Sequence, residues 1–152
     1  MHLFTSEEDR KMDRSNLDIY EEDAAKLAQG YDGVKTPDVL PDFCKIIQTM
    51  KDKEKLSVLD IGCGSGRDAK WLARQGLKVT AVDGSKNLLL HAVKNNPHKN
   101  IEYLHDIAPA FNRLAARGKK FDVILTNINR NIILKDLDNY SAALNSGGQM
   151  LL

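Results

Sequence analysis

The sequence predicts an α/β domain built on a doubly wound, mostly parallel sheet. Two observations carry that prediction. From residue 56 onward, short apolar runs alternate with segments of helical period, the order that covers both faces of a parallel sheet with helices. The first of these runs, Val58-Leu59-Asp60-Ile61, leads into Gly62-Cys63-Gly64-Ser65-Gly66, and a helical pattern starts at Arg67. In such sheets ligands bind beyond the carboxyl ends of the strands, where this loop would lie.

The elements follow in chain order. Residues 1–16 are charged and aperiodic, so a mobile tail is expected. Residues 17–55 are expected to form helices capping the ligand site: a short helix from Ile19 to Ala28, a break from Gly30 to Pro37, and a helix opened by Pro37 or Pro41 that runs to about Met50. Lys51 to Lys55 reads as a charged loop. The core, 56–152, then alternates strand 56–61, helix 67–75, strand 77–82, helix 85–95, strand 101–105, helix 109–117, strand 121–126, helix 131–144 and strand 148–152. Right-handed crossovers would connect the strands.

Bulk properties exclude several classes. With 152 residues, 42% hydrophobic and 28% charged, the chain fits one globular domain with a real core. A formal net charge of +1 gives no electrostatic case for nucleic acid. No apolar stretch reaches membrane-spanning length, and Thr5 to Asn16 is too polar for a signal peptide, so a cytoplasmic protein without a membrane partner is expected. Cys44 and Cys63 are too few for a disulfide framework, and His2, His91, His98 and His105 are scattered, so no metal site is expected. Cys63, inside the glycine loop, reads as a small packed residue before it reads as a nucleophile.

Glycines at 62, 64 and 66 leave the backbone bare, so N–H groups can approach a ligand at a helix N-terminus. A nucleotide-like cofactor is the natural occupant. A dinucleotide loop wants G-x-G-x-x-G, but here the third glycine comes one residue early and Arg67 holds the dinucleotide position. A phosphate-binding P-loop is excluded, since no Gly-Lys-Ser/Thr follows. Asp83 ends the second strand pattern, where a carboxylate can accept both hydroxyls of a ribose.

The G-x-G-x-G after V-L-D-I, with Asp60 in the strand, resembles motif I of the class I S-adenosylmethionine methyltransferases, a Rossmann-like family. The likeness extends through Asp83, through Ile101-Glu102-Tyr103-Leu104-His105-Asp106-Ile107, and through Phe121 to Asn127. Leu144-Asn145-Ser146-Gly147-Gly148 resembles the family's L-x-P-G-G turn, with Ser146 where proline is usual. The resemblance implies S-adenosylmethionine as cofactor. Asp60, Gly62, Cys63, Gly64, Gly66 and Arg67 would surround it, with Asp83 and Gly84 at the ribose and Asp106 and Ile107 at the adenine. Tyr20 and Tyr31 look like a Y-D-x-x-A-x-x-Y-D lead-in that covers the methionine end. Thr126-Asn127-Ile128-Asn129-Arg130-Asn131 resembles a stretch of ribosomal protein L11 methyltransferase-like proteins, and places Asn127 in substrate orientation and beside the cofactor.

Methyl transfer from a sulfonium needs alignment of nucleophile, methyl carbon and sulfur, worth roughly 7–11 kcal/mol in a well-aligned case. A general base is needed only for a protonated nucleophile. The acceptor would be an amine or oxygen on a small molecule or a protein. The family's sheet has seven strands, whereas this chain stops in the fifth. A missing C-terminal hairpin, and a homodimer paired through the exposed strand-five edge, are therefore expected. A non-catalytic or partner-dependent S-adenosylmethionine-binding subunit is the alternative, and an NAD-dependent oxidoreductase a third reading.

Overall fold

A computed structural model describes residues 21–107, 111–126 and 137–151. Along them run α1 (Ala24–Asp32), α2 (Thr36–Val39), α3 (Pro41–Thr49), a 3-10 turn at Lys53–Lys55, β1 (Ser57–Ile61), α4 (Arg67–Arg74), β2 (Lys78–Asp83), α5 (Lys86–Asn95), β3 (Ile101–His105), α6 (Asn112–Ala116), β4 (Phe121–Thr126), α7 (Leu137–Ala142) and β5 (Leu144–Leu151). The strands form one sheet in the order β3-β2-β1-β4-β5, and every pairing is parallel. This is the sheet that the alternating pattern predicts.

Burial on both faces explains why the inner strands read as nearly continuous apolar runs. Leu59 and Ile61 of β1 join Val82, Phe121 and Ile124 on one face, beneath Phe111 and Tyr140. Val58 points the other way with Val79, Ala81, Val123 and Leu125, against Phe43, Cys44 and Ile47 of α3 and Ala69, Leu72 and Ala73 of α4. Each fully buried Leu or Ile stabilises by about 1.5–3 kcal/mol. The sheet's order reverses between β1 and β4, so the carboxyl end of β1 opens at the topological switch point.

Local signals set several helix starts. Pro41 opens α3, where its missing N–H costs nothing. The Ser85 hydroxyl accepts the Leu88 N–H (3.1 Å) at the start of α5. The N-terminal boundaries differ from expectation. Helix α1 runs through Gly30 to Asp32, and the break narrows to residues 33–35 before α2. Glycine in a helix costs about 1 kcal/mol, a penalty offset here by Ala24 and Ala28 packing on Leu88.

The largest correction concerns strand five, which begins at Leu144 and not at 148. Of the helix expected over 131–144, the described part is α7, and Leu144 already pairs with Phe121. The register then slips so that Val123 faces Gln149, leaving a bulge on β5. Asp122 fixes it by accepting the Asn145 side-chain N–H (3.0 Å) and the Ser57 backbone N–H (2.8 Å). A Cβ on Gly148 would stand 2.9 Å from the Asn145 carbonyl, so this position accepts no side chain. Helix α6 covers Asn112–Ala116, shorter than the expected 109–117. The expected tail 1–16, Tyr20 and Asn127 lie outside the described residues. No described helix is long and apolar enough to cross a membrane.

Candidate cofactor site

The loop after β1 takes its shape from three glycines in the left-handed region: Gly62 (φ 74°), Gly64 (φ 55°) and Gly66 (φ 81°). Its N–H groups turn inward. Those of Gly62 and Cys63 both donate to the Val82 carbonyl (2.8 and 3.0 Å), and that of Gly66 donates to Cys63 (3.0 Å). The Gly64 N–H donates to Asp83 Oδ2 at 2.8 Å. This narrows the sequence expectation that bare N–H groups here face a ligand, since those of Gly62, Cys63, Gly64 and Gly66 are used within the protein. Gly66 also allows a close approach, because a Cβ there would overlap the Tyr103 hydroxyl.

Three acids stand at or beside the carboxyl ends of adjacent strands. Asp60 is 1% exposed, and its Oδ2 has no hydrogen-bond partner. Burial pushes its carboxyl well above the ordinary range, the charges of Asp68 and Asp83 add to this, and Arg67 opposes it. Asp83 uses Oδ2 for Gly64 and Oδ1 for the Ser85 N–H (2.8 Å). Burial raises it too, against the pull of those two N–H groups. Asp106 is buried; its Oδ1 accepts the Ile107 N–H (3.1 Å) and its Oδ2 the Leu114 N–H (2.8 Å). Ile107 is exposed beside it. The Gly84 carbonyl accepts from His105 Nε2 at 3.0 Å, which places that ring proton on Nε2.

Arg67 forks onto its neighbour Asp68, Nε to Oδ1 at 2.8 Å and Nη2 to Oδ2 at 3.0 Å, and sends Nη1 to the Tyr31 carbonyl (3.3 Å). Thr36 on α2 adds a buried hydroxyl bond to Asp68 (2.8 Å). The N-terminal helices are thereby tied to the first turn of α4. The Cys63 thiol is pushed up by burial, and further by Asp60 and Asp83, so the thiolate a nucleophile needs is disfavoured. Among the described residues no group of three or more His, Cys, Asp or Glu is arranged to hold a metal ion.

The structure therefore brings Asp60, Gly62, Cys63, Gly64, Gly66, Arg67, Asp83, Gly84, Asp106 and Ile107 to one end of the sheet, as the sequence expects. The Tyr31 ring, marked in the sequence by the lead-in pattern, lies 3.6 Å from where a Gly64 Cβ would stand. The structure adds a contact that no motif announces. Asn96 holds the Ser65 carbonyl at 2.8 Å. Only the Asn96-Pro97 step, which ends a helix, marked Asn96 in the sequence.

The fold and this loop define a Rossmann-like α/β domain. A family model described as a methyltransferase domain matches residues 58–148, and the chain belongs to that family. It is 37% identical over 107 residues to the ribosomal protein L11 methyltransferase of Phocaeicola vulgatus, covering 66% of this chain and 36% of that protein. It is 41% identical over 88 residues to the mitochondrial ubiquinone biosynthesis O-methyltransferase of Arabidopsis thaliana, covering 55% of this chain and 26% of that protein. Among solved structures, the ribosomal protein L11 methylase of Lactobacillus delbrueckii subsp. bulgaricus superposes with a TM-score of 0.55 at 29% identity, over 70% of this chain and 54% of that one. The chain thus spans between about a quarter and just over a third of the length of these curated relatives.

Proposed function

We propose that this chain binds S-adenosylmethionine and serves the transfer of its methyl group to an amine or oxygen acceptor, on a small molecule or a protein. The inward-turned loop carries this reading. A dinucleotide or nucleoside triphosphate needs outward backbone N–H groups for its phosphates, and here those of Gly62, Cys63, Gly64 and Gly66 are already bonded within the protein. The site offers acids where a phosphate cradle would offer donors. That suits a phosphate-free nucleoside bearing hydroxyls and a cationic tail, and it disfavours NAD.

The residues fit such a group one by one. Asp60 has a buried oxygen without a partner, and an ammonium would satisfy it. Asp83 keeps a free lone pair on each oxygen for a ribose diol, and Asp106 does the same for an adenine amino group. Ile107 supplies an apolar edge, and the backbone from Gly62 to Gly66 and at Gly84 would line the cofactor. Arg67, occupied by Asp68, stiffens the helix start. Bound there, S-adenosylmethionine supplies an activated methyl group and its own leaving group. The chain's task is to orient and to exclude water. Asn127 in substrate orientation and Tyr20 over the cofactor remain part of this proposal. The relatives' names cover a ribosomal protein and O-methylation in ubiquinone biosynthesis, which keeps the acceptor at the level of amine or oxygen.

A thermal-shift panel tests the reading. S-adenosylmethionine and S-adenosylhomocysteine should each raise the melting midpoint with rising concentration, and NAD should leave it unchanged. A rise with NAD alone would overturn the proposal.

A further inference from the structure

Behind the glycine loop a chain of polar contacts joins four elements. Asp32, the last residue of α1, places Oδ2 against His91 Nε2 of α5 at 2.8 Å. Its Oδ1 accepts from the Asn96 side-chain amide at 3.0 Å, and the same amide donates to the Ser65 carbonyl at 2.8 Å, which uses both its hydrogens. The Asn96 carbonyl accepts the Tyr103 hydroxyl of β3 at 2.7 Å. That hydroxyl also occupies the space a side chain at position 66 would need. Asn95 braces the imidazole, donating to His91 Nδ1 (3.2 Å) and to the His91 carbonyl (3.1 Å).

Energetics give this network a role beyond filling space. Helix α1 has nine residues, too few to persist alone. Its buried apolar contact with α5 is small, consisting of Ala24 and Ala28 on Leu88. Asp32 and Asn96 therefore add to the Arg67 bond in fixing its last turn. That turn carries Tyr31, whose ring lies over Gly64 and whose carbonyl holds Arg67. Burial pushes the Asp32 carboxyl up, yet the bonds from His91, Ser65 and Asn96 outweigh it and hold the group below its ordinary value, consistent with a contact formed in the charged state.

We propose that Asp32, His91 and Asn96 form a positioning latch that seats Tyr31 over the glycine loop and so sets the affinity for an adenosyl thioether ligand. This rests on the cofactor reading given above. The latch residues act through Tyr31 and the Ser65 peptide, not by touching the ligand.

The test titrates the whole chain with S-adenosylhomocysteine by calorimetry, and follows amide exchange of the ligand-free chain. His91→Ala and Asn96→Ala should each weaken binding at least tenfold, and His91→Gln, which still donates to Asp32, should stay within threefold of wild type. In His91→Ala the amides of α1 should exchange at least tenfold faster, with β1 and β2 keeping wild-type protection. Wild-type affinity in His91→Ala and Asn96→Ala, or unchanged α1 exchange, would overturn the latch and leave the cofactor reading standing. Loss of β1 protection in both alanine variants would overturn it as well, making these residues part of the folding core. Absence of binding by the wild type would overturn the cofactor reading itself, and the latch with it.

Discussion

Asp60 is the residue where structure and proposed function oppose each other most clearly. A buried carboxylate with an unpartnered oxygen costs stability. Its carboxyl is raised, so the folded ligand-free chain keeps this proton at pH values where the unfolded chain, titrating near 4, has lost it. Stability should therefore decline as pH rises from about 4 up through the raised value. Asp60→Asn removes that slope: the expected outcome is a higher melting midpoint at neutral pH without ligand, with at least tenfold weaker binding of S-adenosylhomocysteine by calorimetry. A lower midpoint would mean that the carboxylate supports the fold. The loop glycines separate in a second measurement. Gly66→Ala meets both a positive φ and the Tyr103 hydroxyl, and should cost roughly 2–5 kcal/mol in urea unfolding. Gly64→Ala meets the Tyr31 ring at an ordinary 3.6 Å and should cost about 1–2 kcal/mol. The identity of these residues was legible in the sequence, because strand ends and glycine spacing are local patterns. The direction of the loop's N–H groups was not, since it depends on the Val82 carbonyl and Asp83 of the neighbouring strand.

Among the elements, β1 to β4 were readable to within a residue because each is bounded by turn residues, and because the inner strands β1, β2 and β4 are buried on both faces. Helix α1 and strand β5 were not. Gly30 reads as a break, yet tertiary packing carries the helix through it. Leu144 to Gly148 read as helix end and turn because they lack alternation, while a side chain distant in sequence, Asp122, holds them in the sheet. Asp122→Ala should release the bulge and lower stability by roughly 1–2 kcal/mol, a value kept modest by the carboxylate's partial exposure. Burial pushes the Asp122 carboxyl up, but its bonds from Ser57 and Asn145 outweigh that and hold it below its ordinary value. Its contribution is then complete above the ordinary carboxylate value near 4 and lost as pH falls through the depressed one. Acid unfolding of Asp122→Ala followed by circular dichroism should converge with wild type at the acid end. A gap that widens toward low pH would contradict this account.

At the scale of the whole molecule, the parallel sheet places three acids and one glycine loop at a single edge, beside the point where strand order reverses. The position of the loop was foreseeable from strand and helix alternation, and the acids beside it from the motif resemblance. What it holds was narrowed by geometry, because a loop that uses its own N–H groups internally has few left for phosphate. The measurement that bears most directly on this claim is calorimetric titration of the chain with S-adenosylhomocysteine and, in parallel, with NAD. Saturable uptake of S-adenosylhomocysteine with no heat from NAD is the predicted result. Saturable uptake of NAD, with S-adenosylhomocysteine silent into the millimolar range, would contradict it.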